Sequence, residues 1–202
     1  MQLGPLALAA LGAAVLGAAV VGAKHPTIRP AEQRAFRAIN GLPGFLYWPL
    51  WAPMQLGNLV VGTVVGLAVA LSLEDRRLAV AVVAAMGLKL GAERWLRRLL
   101  EPWMEVRQRP GTSEPGAILR GADVPRGGMS FPSGHVILVA AVAAVITWGL
   151  PAQVVWIPWV LAVLVAVGRV YVGAHNPLDV VAGFGMGMLV GGVLQLVLSG
   201  LG

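Results

Sequence analysis

Long apolar segments separated by short polar stretches constrain this chain more than any other feature. Residues 3–23 carry no charge, and about 20 apolar residues are enough for a helix to cross a bilayer core. Five further segments have a similar character, at about 54–73, 78–100, 133–149, 153–173 and 178–199. The pattern predicts an all-α integral membrane bundle of six transmembrane helices, formed by residues 1–202 as a single domain.

The composition agrees with lipid as the solvent of this chain. Hydrophobic residues make up 57% of it and charged residues only 12%, whereas soluble domains carry roughly 25% charged residues. The formal charge of +6 is concentrated beside the apolar segments, which indicates a membrane surface or an anionic lipid headgroup and not nucleic acid. The absence of cysteine excludes disulfides and thiolate chemistry. Nothing in the pattern indicates an oligomeric state.

Six spans would bring most of the polar residues to one side of the membrane. The segment 24–53, the Gly/Pro-rich loop 101–131 and the turn 174–177 would lie together there. Ionisable groups at membrane depth are costly and are usually functional. The polar residues of interest on this side are Arg107, Arg109, Arg120, Arg126, Ser130, Ser133, His135, Arg169, His175 and Asp179.

Two histidines and one carboxylate give this set its chemistry. Asp179 follows His175 by four residues, and a carboxylate that holds one imidazole nitrogen leaves the other free as a nucleophile or as a base. Both roles stay open on this spacing alone. His135 opens the fourth span, where a second imidazole could give a proton to a leaving oxygen.

The remaining candidates suit a phosphoryl group. Arg109 and Arg169 supply planar cations that match phosphate oxygens, and a helix that starts at Ser133 and Gly134 presents backbone N–H groups to an anion. Zinc prefers three or four His, Cys or carboxylate ligands, and the arginines would repel a cation. The residues therefore predict a phosphoryl-transfer site without a metal or other cofactor.

At these residues the sequence resembles the type 2 phosphatidic acid phosphatase family. The family motif PSGH is complete at 132–135. The motif SRxxxxxHxxxD occurs at 168–179 with Gly168 in place of the leading serine. The motif KxxxxxxRP is partial: Arg109 and Pro110 are present, but Pro102 occupies the lysine position.

The resemblance implies a membrane lipid phosphatase with a phosphohistidine intermediate. In it His175 is the nucleophile, Asp179 orients this histidine, and His135 protonates the leaving group. The phosphoryl oxygens would be held by Arg109, Arg169, Ser133 and Gly134. The implied substrates are phosphatidylglycerophosphate, phosphatidate or polyprenyl phosphates and diphosphates.

The missing lysine of the first motif requires another cation. Arg98 lies four residues before Pro102, and Arg107 lies two before Arg109. We expect one of these two arginines to replace the lysine, because a pocket that loses a cation binds phosphate less tightly. The missing serine would remove only one neutral hydrogen bond.

Three alternatives share parts of the pattern. A lipid phosphotransferase would use the same phosphohistidine and differ only in its acceptor. Vanadate-dependent haloperoxidases have similar motifs but are soluble, which the hydropathy of this chain opposes. A transporter or scaffold would need no nucleophile, and six spans without an inverted repeat do not favour a transporter.

Two features of the sequence give opposite predictions for the side of the membrane on which the site lies. The predicted catalytic side carries most of the Lys and Arg residues, and the positive-inside rule would make that side cytoplasmic. The family resemblance implies an extracytoplasmic site at the cell membrane. Because several arginines would serve the phosphate, we expect a multi-pass protein with an extracytoplasmic site.

A site that uses arginines instead of clustered carboxylates should keep its activity under strong chelation. We expect phosphate release by the purified protein to be unchanged in excess EDTA. Loss of activity in EDTA that magnesium or zinc restores would contradict this expectation.

Overall fold

A computed structural model describes residues 3–24, 27–100 and 107–200. Pro102 of the first motif thus lies outside the described residues. The described parts of the chain contain helices and no strand, apart from an isolated antiparallel bridge between Gln108 and Met129, so the all-α prediction is confirmed. The helices are α1 Pro5–Ala23, α2 Pro30–Asn40, α3 Tyr47–Met54, α4 Leu59–Ser72, α5 Arg76–Leu100, α6 Pro110–Ser113, α7 Gly134–Thr147, α8 Ile157–Tyr171 and α9 Pro177–Gly200.

Helix α7 forms the centre of the bundle. Every residue from Val136 to Thr147 is buried, and a helix that is apolar all round must be covered on all sides. Helices α4, α5, α8 and α9 surround it, and α1 packs against the outer side of α9. The first turn of α7 carries PSGH residues, so the core of the fold also fixes this part of the site.

Glycines allow α1 and α9 to approach closely. A Cβ atom on Gly12 would lie 2.5 Å from the backbone nitrogen of Leu189, and one on Gly185 would lie 2.6 Å from that of Leu16. Such distances are possible only without a side chain, which is how small residues drive helix association in lipid. The glycines of α9 therefore serve packing.

The outward faces of the bundle are apolar. Val64 of α4, Val80 of α5 and Val197 of α9 are 58%, 67% and 55% exposed, and apolar surface on this scale marks contact with lipid or with a partner. Among the described residues, α1 and α9 are long and apolar enough to cross a membrane, and the bent pair 44–57 and 59–72 could form a third span. These features are those of a membrane protein, but the count of six spans is not confirmed.

The other helices fall short of the predicted spans for identifiable reasons. α7 and α8 have 14 and 15 residues, so each is about 21–23 Å long against a bilayer core of about 30 Å. The last turns of α5 are charged. The span expected from residue 54 begins only at Leu59, because Asn58 caps α4 and accepts hydrogen bonds from the N–H groups of Val60 and Val61 at 3.0 and 3.3 Å.

Polar segments from three parts of the chain meet at one end of the bundle. The Asn40 side chain at the end of α2 donates to the carbonyl oxygens of Ile118 and Tyr171, each at 2.9 Å. Arg120 donates to the Asn40 carbonyl oxygen at 2.7 Å. These bonds join the segment 24–53, the loop before α7 and the end of α8, and the candidate site lies beneath them.

Candidate active site

The turn between α8 and α9 places His175. Gly173 has a φ of 77°, the left-handed conformation that commonly ends a helix. A Cβ at this position would also lie 2.8 Å from the Ile118 carbonyl oxygen, so both the conformation and the space require glycine. The chain reverses here and α9 begins at Pro177, which sets His175 immediately before the helix that carries Asp179.

Asp179 faces one edge of the His175 imidazole. The Nδ1 atom of His175 lies 3.7 Å from Oδ2 of Asp179. This distance is longer than a hydrogen bond, but catalytic hydrogen bonds are often long in the absence of substrate and shorten when it binds. The same Oδ2 accepts a bond of 2.7 Å from the backbone N–H of Asn176. Because the carboxylate lies on the Nδ1 side, Nε2 is the ring nitrogen left for chemistry.

The surroundings of His175 keep its imidazole neutral. Burial lowers the pKa of His175, and the charges of Arg169 and Arg109 lower it further, while Asp179 acts in the opposite direction. A pKa below the ordinary value of about 6.5 leaves the ring uncharged at neutral pH. The uncharged ring is the form that can act as a nucleophile or as a base.

A second ion pair fixes the other oxygen of Asp179. The Nε atom of Arg107 donates to Oδ1 of Asp179 at 2.8 Å, and its Nη2 pairs with Glu32 of α2. Glu32 also accepts a bond of 2.9 Å from the backbone N–H of Leu178. Arg107 therefore lies behind the carboxylate, and its partner Glu32 is a residue that the sequence motifs did not indicate.

The start of α7 is hydrogen-bonded to α9, and the Ser133 hydroxyl there has no hydrogen-bond partner among the described residues. The backbone N–H of Ser133 donates to the Asp179 carbonyl oxygen at 3.0 Å. The Ser133 hydroxyl does not cap α7, and its oxygen is buried without a hydrogen-bond partner among the described residues. Gly134 and His135 follow as the first residues of α7, and the backbone N–H groups at the start of a helix can bind an anion.

Two arginines approach the same end of the bundle. Arg169 is buried in the last turn of α8, and its Nε has no hydrogen-bond partner in the part of the chain that the structure describes. Arg109 donates to the Ala174 carbonyl oxygen at 2.9 Å. Burial, together with the nearby charge of Arg97, lowers the pKa of Arg109 below its usual value. The charges of both arginines also act on His175.

His135 and Arg169 line a small polar cavity of about 60 Å³. Gln55, Asn58 and Asp123 face the same space. Gly57 leaves room for the imidazole, since a Cβ there would lie 2.7 Å from the Cβ of His135. The bend between α3 and α4 thus forms one wall of the site, which the apolar pattern of residues 54–73 does not reveal.

The departure of Gly168 from the family serine has a steric explanation. A Cβ on Gly168 would lie 2.6 Å from Cγ and 2.8 Å from Sδ of Met54. The methionine of α3 therefore fills the space in which a serine side chain would stand.

The two arginines expected to replace the motif lysine lie in different surroundings. Arg98 is on the exposed side of α5, and Arg107 is buried between two carboxylates. The α5 residues that approach the site are Lys89, Glu93 and Arg97, which the motifs did not indicate.

The Arg107 ion pairs generate a stability prediction. Arg107→Met would leave Glu32 and Asp179 buried without their cation, so we expect the free energy of unfolding to fall by about 3–5 kcal/mol. Arg126→Met removes an exposed arginine from the same loop and should change it by about 0.5 kcal/mol or less. Chemical unfolding in detergent measures both, and equal losses would contradict the clamping role of Arg107.

Comparison with known proteins supports one family throughout. Phosphatidylglycerophosphatase B of Bacillus subtilis is 36% identical over 115 residues, 52% of each chain. An undecaprenyl-diphosphatase of Sulfolobus acidocaldarius is 46% identical over 59 residues, 29% of this chain and 28% of its own. The chain thus spans about half the length of the first of these relatives, and less of the second.

Two solved structures share the fold. The crystal structure of a transmembrane PAP2 type phosphatidylglycerolphosphate phosphatase from Bacillus subtilis matches with a TM-score of 0.66 at 23% identity, over 100% of this chain and 98% of its own. That of Aquifex aeolicus LpxE matches with a TM-score of 0.63 at 22% identity, over 81% and 93%. The family model of the PAP2 superfamily matches residues 77–200, more than half of the sequence, and the chain belongs to this superfamily.

Proposed function

We propose that this chain is a metal-independent membrane lipid phosphatase that forms a phosphohistidine at His175. The observation that carries the proposal is the buried contact between Asp179 and the Nδ1 side of a neutral His175. The relatives support the substrate class, since two of them are named for dephosphorylating phosphatidylglycerophosphate and undecaprenyl diphosphate.

The proposed reaction has two steps. Nε2 of His175 attacks phosphorus, the bond from phosphorus to the lipid oxygen breaks, and His135 gives its proton to that oxygen. Water then attacks the phosphohistidine, His135 takes back a proton, and inorganic phosphate leaves while His175 is restored. In both steps the oxygens are held by Arg109, Arg169 and the Ser133–Gly134 turn.

An apolar groove supports a lipid as the substrate. It has a volume of about 350 Å³ and lies between α4, α7 and α8, from Leu56 and Val139 toward Leu150. Leu56 precedes Gly57, which contacts His135. An alkyl or isoprenoid chain in this groove would therefore have its phosphate end near the polar cavity. Assay of the purified protein on phosphatidylglycerophosphate, phosphatidate and polyprenyl phosphates tests the lipid class.

We further propose six spans in the cell membrane with an extracytoplasmic site. Arg107, Arg109, Arg120 and Arg169 are engaged in ion pairs or carbonyl contacts or are buried at the site. These arginines stabilise the fold or would bind the phosphate. Counting them under the positive-inside rule therefore exaggerates the evidence for a cytoplasmic site.

The absence of cysteine makes the orientation directly testable. Arg126→Cys introduces a thiol on the site side, and Ala152→Cys introduces one in the exposed turn at the other end. We expect a membrane-impermeant maleimide to label only Arg126→Cys in intact cells, and both variants after permeabilisation. The reverse pattern would contradict the proposed orientation.

The two histidines should differ when substituted. His175→Ala should abolish turnover of every substrate. His135→Ala should lose about 10²–10⁴-fold on an alkyl lipid phosphate but less on nitrophenyl phosphate, whose leaving group needs little protonation. An acid-labile phosphoenzyme should be trapped in the wild type and in His135→Ala, but not in His175→Ala.

The third histidine provides the control. His25 belongs to none of the motifs, so His25→Ala should behave as the wild type. Turnover by His175→Ala, or phosphate trapped on another residue, would overturn the assignment. Transfer of the phosphoryl group to an added acceptor lipid, without release of inorganic phosphate, would instead identify a phosphotransferase.

A further inference from the structure

Three charged residues form a row on one face of α5. Lys89 Nζ lies 2.8 Å from Oε2 of Glu93, and Arg97 Nη2 lies 3.0 Å from Oε1 of the same carboxylate. Their side chains are only 14%, 18% and 29% exposed, whereas Arg94 and Arg98 on the same helix are exposed. Two cations and one carboxylate give the row a formal charge of +1, the charge of a single lysine.

The row lies against the start of α7. A Cβ on Gly134 would lie 2.6 Å from Oε2 of Glu93 and 3.0 Å from Nζ of Lys89. Arg97 Nη2 is 3.4 Å from the Pro132 carbonyl oxygen. The two cations therefore flank the turn Pro132–Gly134, and the glycine of this turn provides the space for the row.

The charge of the row also reaches Arg109. Burial lowers the pKa of Arg109, and the nearby charge of Arg97 lowers it further. The Nε of Arg97 is buried and has no hydrogen-bond partner among the described residues. The Arg97 Nε and the Ser133 hydroxyl are thus two buried polar groups of this region that the described residues leave without a partner, and buried polar groups are usually hydrogen-bonded.

We propose that Lys89 and Arg97 bind oxygens of the substrate phosphoryl group, in place of the lysine that the first motif lacks at Pro102, and that Glu93 holds both cations in position. The proposal rests on the proposed phosphatase function. It replaces the expectation for Arg98 and Arg107, since Arg98 is exposed and the guanidinium of Arg107 pairs with Asp179 and Glu32.

Inhibition by inorganic phosphate and by orthovanadate tests whether this row of charges binds a phosphate-like anion. The result does not depend on which lipid is the substrate. Lys89→Gln and Arg97→Gln remove a charge but keep an amide that can bond Glu93. Each should raise both inhibition constants by about tenfold or more, because a charge-assisted hydrogen bond to the anion is lost. The matched controls Arg94→Gln and Arg98→Gln should stay within about twofold of the wild type.

Charge-retaining variants separate binding from folding. Lys89→Arg and Arg97→Lys should keep inhibition constants within about threefold of the wild type, since each retains its cation. The proposal is overturned if either glutamine variant keeps the wild-type constants, if Arg98→Gln loses as much, or if the charge-retaining variants fall as far as the glutamine variants. A wild-type protein that releases no phosphate would instead refute the phosphatase function.

Discussion

The buried guanidinium of Arg107 is the interaction on which the rest of the site depends. It joins Glu32 of the second helix to Asp179 of the last, and Asp179 is the group that faces His175. Two carboxylates with a single cation between them are stable in a buried site only while all three stay paired. The orientation of His175 therefore depends on the packing of α2 against the start of α9.

The sequence predicts the contact between His175 and Asp179 better than it predicts the membrane topology. Spacing alone associates His175 with Asp179, and the apolar pattern locates the helices that carry them. The predicted count of six spans is not confirmed, because a hydropathy average over a window of residues does not detect a bend in the chain. Such a bend of 77° occurs at Asn58, where the side chain caps α4. Nor does the hydropathy average show that α7 is shorter than a bilayer core, since its flanking turns are also apolar.

Two of the residues that the motifs missed, Glu32 and Arg97, have contacts that are distant in sequence. Glu32 meets Arg107 across 75 positions, and Arg97 reaches the Pro132 carbonyl across 35. Each is an ordinary flanking charge when read locally, as most charges beside a membrane helix are. Their roles follow from the fold that brings α2 and α5 to the same end of α7, and a linear pattern carries no record of that contact.

The bond between the Ser133 N–H and the Asp179 carbonyl oxygen joins the start of α7, which carries His135, to the start of α9, which follows His175. Both of its atoms belong to the main chain, so the link does not depend on which side chains these positions carry. Substitutions can therefore change the side chains of the pocket without breaking this bond, and the two helix starts then keep their relative placement. Only proline at position 133, which lacks the N–H, would remove the bond itself. This part of the scaffold can thus persist while the substrates of descendant proteins diverge.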